Sequence, residues 1–304
     1  MAVSILQALF LVESWREGAH FGSTLTLGRI GHLMSRRDLN RVARLLPEDS
    51  EFVHMVERGE VPQYSEELFR AMGATRVDAM DASAFEGATI LQDLNEPLAP
   101  GLRGQFDTVV DSGTLEHVFN VPAAFKNAMD ALKVGGHFFA GLPANNWCGH
   151  GFYQFSAEFF YRVFSEENGF QMRKLFVAPA WSAGRWLDGP AFEVFDPKEM
   201  QERVEIEGKA LMSFLVHAQK VREEVPFAKW PQQSDYLTLW ARGPADQRGE
   251  PGKPTLFQYA GKAYRRIVRY VGNVGRVAER TREKRIWTRQ CVGNPALKPH
   301  KWIA

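Results

Sequence analysis

Hydrophobic and polar positions alternate along this chain with two different periods. Short apolar runs bounded by Gly, Pro or Asp read as buried strands, and longer stretches with apolar residues three and four apart read as helices. LTLG at 25–28 is a short strand ending in glycine. SRRDLNRVARLL and YSEELFRAMG carry helical spacing; in the first, Leu39, Val42, Leu45 and Leu46 share one face. TRVDAMD then reads as a strand ending at Asp81, ATILQDL as one ending near Asp93, and FDTVVDSG as one ending near Asp111. VPAAFKNAMDALKVGG reads as a helix opened by Pro122 and closed by Gly135 and Gly136. HFFAGLP is the next strand, and SAEFFYRVFSEENGF is a helix capped by Ser156 and stopped at Gly169. QMRKLFVAP and ALMSFLVHAQK are two further strands. Strands that alternate with helices predict an α/β fold with a mostly parallel sheet covered on both faces. No repeat of 20 to 50 residues interrupts the pattern.

At the N-terminus, AVSILQALFLVESW is apolar but lacks a basic leader and a small-residue cleavage site, and it is too short to span a bilayer. Residues 1–22 are therefore expected to form an amphipathic helix packed on the body. Near the other end, RGPADQRGEPGKP marks a linker. The division expected is an α/β domain over 1–243, then a linker and basic helical tail over 244–304.

Charge sharpens that division. From Pro251 onward there are thirteen Lys and Arg against two Glu, so the net charge of +1 hides an acidic body and a basic tail. The tail has three readings: an ordinary helix packed on the acidic body, a segment lying on an anionic membrane, or a phosphate-binding segment. It holds no sequence-reading motif, which argues against nucleic acid. Cys148 and Cys291 are too far apart for a disulfide framework or a zinc spacing, and fit a reducing compartment. A cytoplasmic protein is expected, with membrane association through the tail as the alternative.

Three successive strands ending in aspartate carry the functional argument. In an open parallel sheet, ligands sit outside the carboxyl ends of the strands. Asp81, Asp93 and Asp111 either accept hydrogen bonds there from ribose hydroxyls, an adenine amino group or an ammonium, or cap the turns that follow them. The run FDTVVDSGTLEHV, with a helix and LKVGGHFFAGLP after it, resembles the central segment of class I S-adenosylmethionine-dependent methyltransferases. VDAMDAS and ILQDLNEPL resemble that family's second and third strands, and ALMSFLVHAQK its antiparallel last strand, paired with QMRKLFVAP. The resemblance covers about residues 20–220 and is good from Arg76 to Phe170.

It implies a three-layer, Rossmann-like sheet, mostly parallel with an antiparallel last strand, plus the basic C-terminal helical extension. It also implies S-adenosylmethionine as cofactor, and assigns residues to it. Asp81 would hold the ribose, and Asp93 with Leu94 would flank the adenine. Asp111 and Ser112 would line the methionine part, and Gly28 would be the first glycine of the loop beneath it. In STLTLGRIGHLM, however, Thr26 stands where the family has an acid, and Ile30 and His32 stand where it has glycines. Only Gly28 and Gly31 remain, with Arg29 between them. Arg29 either pairs with the cofactor carboxylate or Asp111, or forms a structural ion pair. About 45 residues separate Gly31 from the second strand, with room for an extra helix.

Methyl transfer chiefly requires positioning of the acceptor, helped by a base where the acceptor is a hydroxyl. NNWCGHGFYQFS follows the fifth strand; His150 is the first candidate base and Tyr153 the second, the alternative being that the segment closes a turn and packs its rings. Glu116 at a helix start suits the helix dipole, and His117 either packs or acts chemically. The stretch 179–209, with Trp181, Trp186, Phe192 and Phe195, is a candidate lid over the acceptor or a local hydrophobic cluster. No residue spacing marks a metal site, and no metal is expected. A nucleophile elbow, a P-loop and the Gly-x-Gly-x-x-Gly turn of nicotinamide dehydrogenases are all absent. Two functions remain. One is methyl transfer to an oxygen or nitrogen of a small molecule or glycan. The other is a catalytically inactive binding or scaffold protein on the same fold, which the altered loop favours.

Overall fold

The computed structural model describes residues 1–182, 185–186, 190–200, 203–206, 209–246, 297–300 and 302. In chain order the elements begin with β1 (Ala2–Val3), α1 (Ile5–Arg16), β2 (Ser23–Leu27) and β3 (Gly31–His32). Three helices follow: α2 (Arg36–Ala43), α3 (Glu51–Arg58) and α4 (Glu66–Ala71). The central run is β4 (Arg76–Asp81), β5 (Ile90–Leu91), β6 (Phe106–Asp111), α5 (Val121–Ala131), β7 (Leu132–Asn145), α6 (Ala157–Val163) and β8 (Phe170–Ser182). It closes with β9 (Arg185–Trp186), β10 (Ala191–Val194), α7 (Pro197–Met200), β11 (Leu211–Lys220), α8 (Ser234–Asp246) and β12 (Leu297–His300).

The main sheet runs β12-β10-β8-β11-β7-β6-β2-β4-β5. The pairs β4–β5, β2–β4, β2–β6 and β6–β7 are parallel, and β11 inserts antiparallel between β7 and β8. This is the three-layer, Rossmann-like arrangement expected, including the pairing of ALMSFLVHAQK with QMRKLFVAP. One face of the sheet packs a core with α5 and α6, built on Phe125, Phe138, Phe160 and Phe164. The other packs α1 to α4, built on Phe10, Phe21, Phe52 and Phe69.

The crossover from β3 to β4 holds three helices where a βα unit needs one. Each of the first two opens on a serine whose hydroxyl accepts an amide of the first turn: Ser35 from Asp38, in a reciprocal capping box, and Ser50 from Val53.

Five expectations change. The N-terminal helix is not amphipathic: nine of the twelve residues of α1 are buried, because it lies between the sheet and α2 and meets core on every side. Helix α5 stops at Ala131, and LKVGG belongs to β7: Leu132 is buried and pairs with Phe106, and the ladder resumes at Thr108 and His137 after a shift in register. The strand in ATILQDL shrinks to Ile90–Leu91, so Asp93 lies beyond it. Part of the expected lid is sheet: β8 runs on to Ser182, and β10 pairs beside it with Phe192 fully buried. The side chains of Trp181 and Trp186 lie outside the described residues.

The boundary at 243 also moves. Helix α8 runs through it, and Leu297–His300 pairs antiparallel with β10, so part of the expected tail belongs to the main sheet. Apart from Trp302, the remainder of the basic tail, Cys291 included, lies outside the described residues. Among the described residues, no helix is long and apolar enough to cross a membrane.

Candidate functional site

The carboxyl ends of β2, β4, β6 and β7 point to one edge of the sheet, where most of the predicted residues lie. At the end of β2 the chain turns through Gly28, at φ +69°. Thr26 closes this turn by donating its hydroxyl proton to the Gly28 carbonyl at 2.7 Å. A β-carbon on Gly28 would stand 3.2 Å from Thr114 Oγ1 and would collide with the Met1 side chain. Gly31 serves something else. It pairs with Ala2 in the two-stranded β1–β3 ribbon, its amide donates to the Met1 carbonyl at 3.1 Å, and a β-carbon there would lie 3.3 Å from the Gln63 carbonyl. The second glycine of GRIG thus lets strands approach, and the N-terminal segment crosses directly over the turn.

In this structure Arg29 forms a structural ion pair. Its Nε donates to Glu66 Oε1 at 2.8 Å, its Nη1 to the Glu86 carbonyl at 3.1 Å, and its guanidinium lies 3.7 Å over the Tyr64 ring. It therefore makes no pair with Asp111.

Asp81 ends β4 half-buried, with Oδ1 accepting the Ser83 amide at 3.1 Å. Asp93 is exposed, and its Oδ1 takes both the amide and the side-chain nitrogen of Asn95 at 2.8 Å. Those two bonds hold its carboxyl below the usual range. Leu94 is buried in the core shared with α5.

Asp111 is fully buried at the end of β6. Its carboxylate accepts the Thr114 amide at 2.9 Å and the Leu115 amide at 3.4 Å. Desolvation nevertheless pushes it up to about 6. So Asp111 caps the turn into LEHV, and does not present its carboxylate at the surface.

Sequence reasoning missed Gln7. This residue of α1 is buried; its Nε2 donates to the Asp111 carbonyl at 2.8 Å, and its Oε1 accepts the Ser112 hydroxyl at 2.6 Å. It ties the N-terminal helix to the end of β6. Its signal was a lone amide inside ILQALFLV. Gln7→Leu is expected to cost about 2 kcal/mol, because it strands two buried polar groups. Urea unfolding measures this; a loss under about 0.5 kcal/mol would show that the bridge contributes nothing net.

A cavity of about 340 Å³ opens at this edge, lined among others by Met1, Gln7, Ser112, Glu116, His117 and His150. Glu116 is buried, and its Oε1 stands 3.4 Å from His150 Nε2. Its Oε2 has no partner. Burial first, and then the charge of Asp111, push the Glu116 carboxyl up to about 8. The His117 ring lies 4.8 Å from that of His150, and burial followed by that neighbour holds it below its usual value. The sequence placed Glu116 and His150 in separate segments. They meet because the Glu116 carbonyl accepts the amides of Phe152 at 2.8 Å and Tyr153 at 3.3 Å, which staples the LEHV turn to the loop after β7.

Tyr153, the second candidate base, is committed elsewhere. Its hydroxyl donates to the Phe119 carbonyl at 2.8 Å, and it does not line the cavity. Asn145 and Asn146 are likewise occupied, donating to the carbonyls of Ile206 and Ala210. A larger cavity of about 760 Å³ lies between α6 and α8, away from the strand ends, with walls that include Phe125, Phe159 and Trp230.

No family model matches the chain, and no curated protein matches it significantly. Solved structures do resemble it. One is a SAM-dependent methyltransferase of Thermotoga maritima, 15% identical, covering 71% of this chain and 89% of its own, with a TM-score of 0.34. Another is TehB of Haemophilus influenzae, 14% identical over 69% of this chain and 61% of its own, with a TM-score of 0.37. A third is the branched-chain polyamine synthase of Thermus thermophilus, solved as a mutein with N4-aminopropylspermidine and 5′-methylthioadenosine. It is 16% identical over 75% of this chain and 58% of its own, with a TM-score of 0.36. This chain thus spans less than two thirds of the latter two. Likeness at this level assigns no activity, which has to be argued from the site.

Proposed function

We propose that this protein is an S-adenosylmethionine-dependent methyltransferase acting on an oxygen or nitrogen of a small molecule or glycan. One observation carries the reading: a cavity at the carboxyl ends of β6 and β7, beside the glycine turn of β2, with Asp81 at the end of the adjacent β4. Asp81 fits a ribose, because its Oδ2 has no partner among the described residues and two vicinal hydroxyls need a carboxylate acceptor. Gly28 and Thr114 fit a close backbone approach once the Met1 side chain moves aside. Leu94 fits less well beside an adenine, since its side chain is spent in the core.

S-adenosylmethionine would supply a methyl group on a sulfonium, open to in-line attack by the acceptor's lone pair. The protein's own part is orientation and proton handling. Ser112 is fixed by Gln7 at the inner wall. His150, on the cavity wall against the Glu116 carboxyl, is placed to take the acceptor's proton. Asp111 acts indirectly, by fixing the turn that carries Glu116.

Calorimetric titration with S-adenosylmethionine and S-adenosylhomocysteine tests the reading. Micromolar binding is expected, and Asp81→Asn should weaken it by about 10- to 100-fold. The absence of heat at millimolar ligand would sink the proposal. It would favour the second reading, a binding or scaffold protein on this fold, whose support is the N-terminal segment lying across Gly28. Residence in the cytoplasm, with the basic tail against an anionic membrane, is a further part of the proposal, supported by the charge asymmetry alone.

A further inference from the structure

Glu116, His117 and His150 present one carboxylate and two imidazoles whose ligand atoms all lie within 4.8 Å of one another. A buried carboxylate oxygen without a donor is costly and calls for an explanation. Glu116 Oε2 is such an oxygen: the side chain is 2% exposed, Oε2 has no partner, and the residue lines the 340 Å³ cavity. The two histidines stand on the exposed side of it.

We propose that Glu116, His117 and His150 bind a divalent first-row transition metal, with an open coordination position facing the cavity. The donor set suits zinc, iron(II), cobalt or manganese better than magnesium or calcium, which favour all-oxygen sites. Three protein ligands with a free position is the pattern of a metal that binds a small ligand and is not merely structural. The geometry is close to what such a metal needs. Metal–ligand bonds of about 2.0–2.2 Å in a tetrahedron put donors about 3.4 Å apart. Glu116 Oε1 and His150 Nε2 already stand at 3.4 Å, and the His117 ligand atom lies within 4.8 Å of both.

The surrounding backbone holds the two ligand-bearing segments together. The Glu116 carbonyl takes the amides of Phe152 and Tyr153, and a β-carbon on Gly151 would meet that carbonyl at 2.9 Å. No contiguous motif announced the site, since 33 residues separate His117 from His150. With a metal bound, His150 would be a ligand and no longer the base, and the metal would instead polarise an oxygen of the ligand in the cavity; that role rests on the methyltransferase reading, whereas metal affinity does not.

The test uses the full chain, stripped with chelator and free of S-adenosylmethionine. Cobalt(II) is titrated and followed by its visible absorption, with zinc(II) measured by calorimetry. One equivalent at micromolar or tighter affinity is expected. His150→Ala, His117→Ala and Glu116→Gln should each weaken it at least about 10-fold. Cys148→Ser and His54→Ala, both exposed and outside the site, should leave it unchanged. His150 lies in an exposed loop, so its variant is expected to fold as the parent does, checked by circular dichroism. No binding at millimolar metal, or binding that survives His150→Ala, would overturn the proposal. Metal binding without S-adenosylmethionine binding would leave this site standing and remove the methyltransferase reading; the converse would do the opposite.

Discussion

Phe10→Ala is expected to destabilise the protein by about 3–5 kcal/mol, the largest effect of any substitution considered. Phe10 is fully buried in α1, and its ring meets Phe176 at 5.5 Å, Phe139 at 6.2 Å, and His217 and Trp302 at 6.4 Å. These partners come from three strands of the sheet and from the far end of the chain. Removing the ring therefore leaves a cavity that no single element can collapse to fill. Because α1 also carries Gln7, the loss extends to the functional edge, where Asp111 and Ser112 depend on that amide. Should the alanine variant fail to fold, Phe10→Leu is the milder probe, with an expected cost of about 1–2 kcal/mol. Urea unfolding measures both. A cost below about 1.5 kcal/mol for alanine would mean that α1 is not an integral part of the core.

The second large effect is a dependence of stability on pH, set by two buried histidines far from the cavity. His137 Nδ1 and His217 Nε2 lie 3.0 Å apart in neighbouring strands β7 and β11, and Phe139 stacks on both rings. Burial first, and then the positive charges of Arg173 and His20, hold His137 down to about 4. His217 is lowered as well, by burial and then by His137, Lys174 and Arg173. The unfolded chain binds these protons near pH 6.5, and folded His137 binds its own only near 4. Between those values the unfolded state takes up more protons, so this contribution to stability is lost as pH falls. It amounts to about 3 kcal/mol from His137 alone, with a further loss from His217.

Asp111 acts in the opposite direction. Its carboxyl is raised to about 6, so the folded state binds its proton first, and acidification from pH 6 to 4 favours folding. The histidine contribution must therefore be read as a difference. The stability of a His137→Phe/His217→Phe variant, minus that of the parent, should grow by about 3 kcal/mol or more between pH 7 and pH 4. A flat difference would refute the assignment. Direct proton NMR titration should find no charging of either ring above about pH 5.

The order of the elements and the chemistry at their ends are legible in the chain's pattern alone. Apolar runs such as LTLG and FDTVVD, bounded by Gly and Asp, read as strands buried on both faces, and α/β alternation leaves few arrangements beyond a parallel sheet. That placed Asp81, Asp111 and Ser112 at one edge before any contact was known. Local pattern could not decide what those groups touch. Asp111 became a buried cap of the turn that follows it, and Arg29 an ion pair with Glu66 because that partner, 37 residues along the chain, reached it first.

The same reason hid the rest of the site. Gln7 meets Ser112 across 105 residues, and Glu116 meets His150 across two loops joined by backbone hydrogen bonds. LKVGG has the composition of a helix end, yet Leu132 pairs with Phe106 of β6 and the strand runs on from there. Periodicity reports which face of an element is buried. Which polar group lies opposite another is set by the packing of whole elements, which no local pattern encodes.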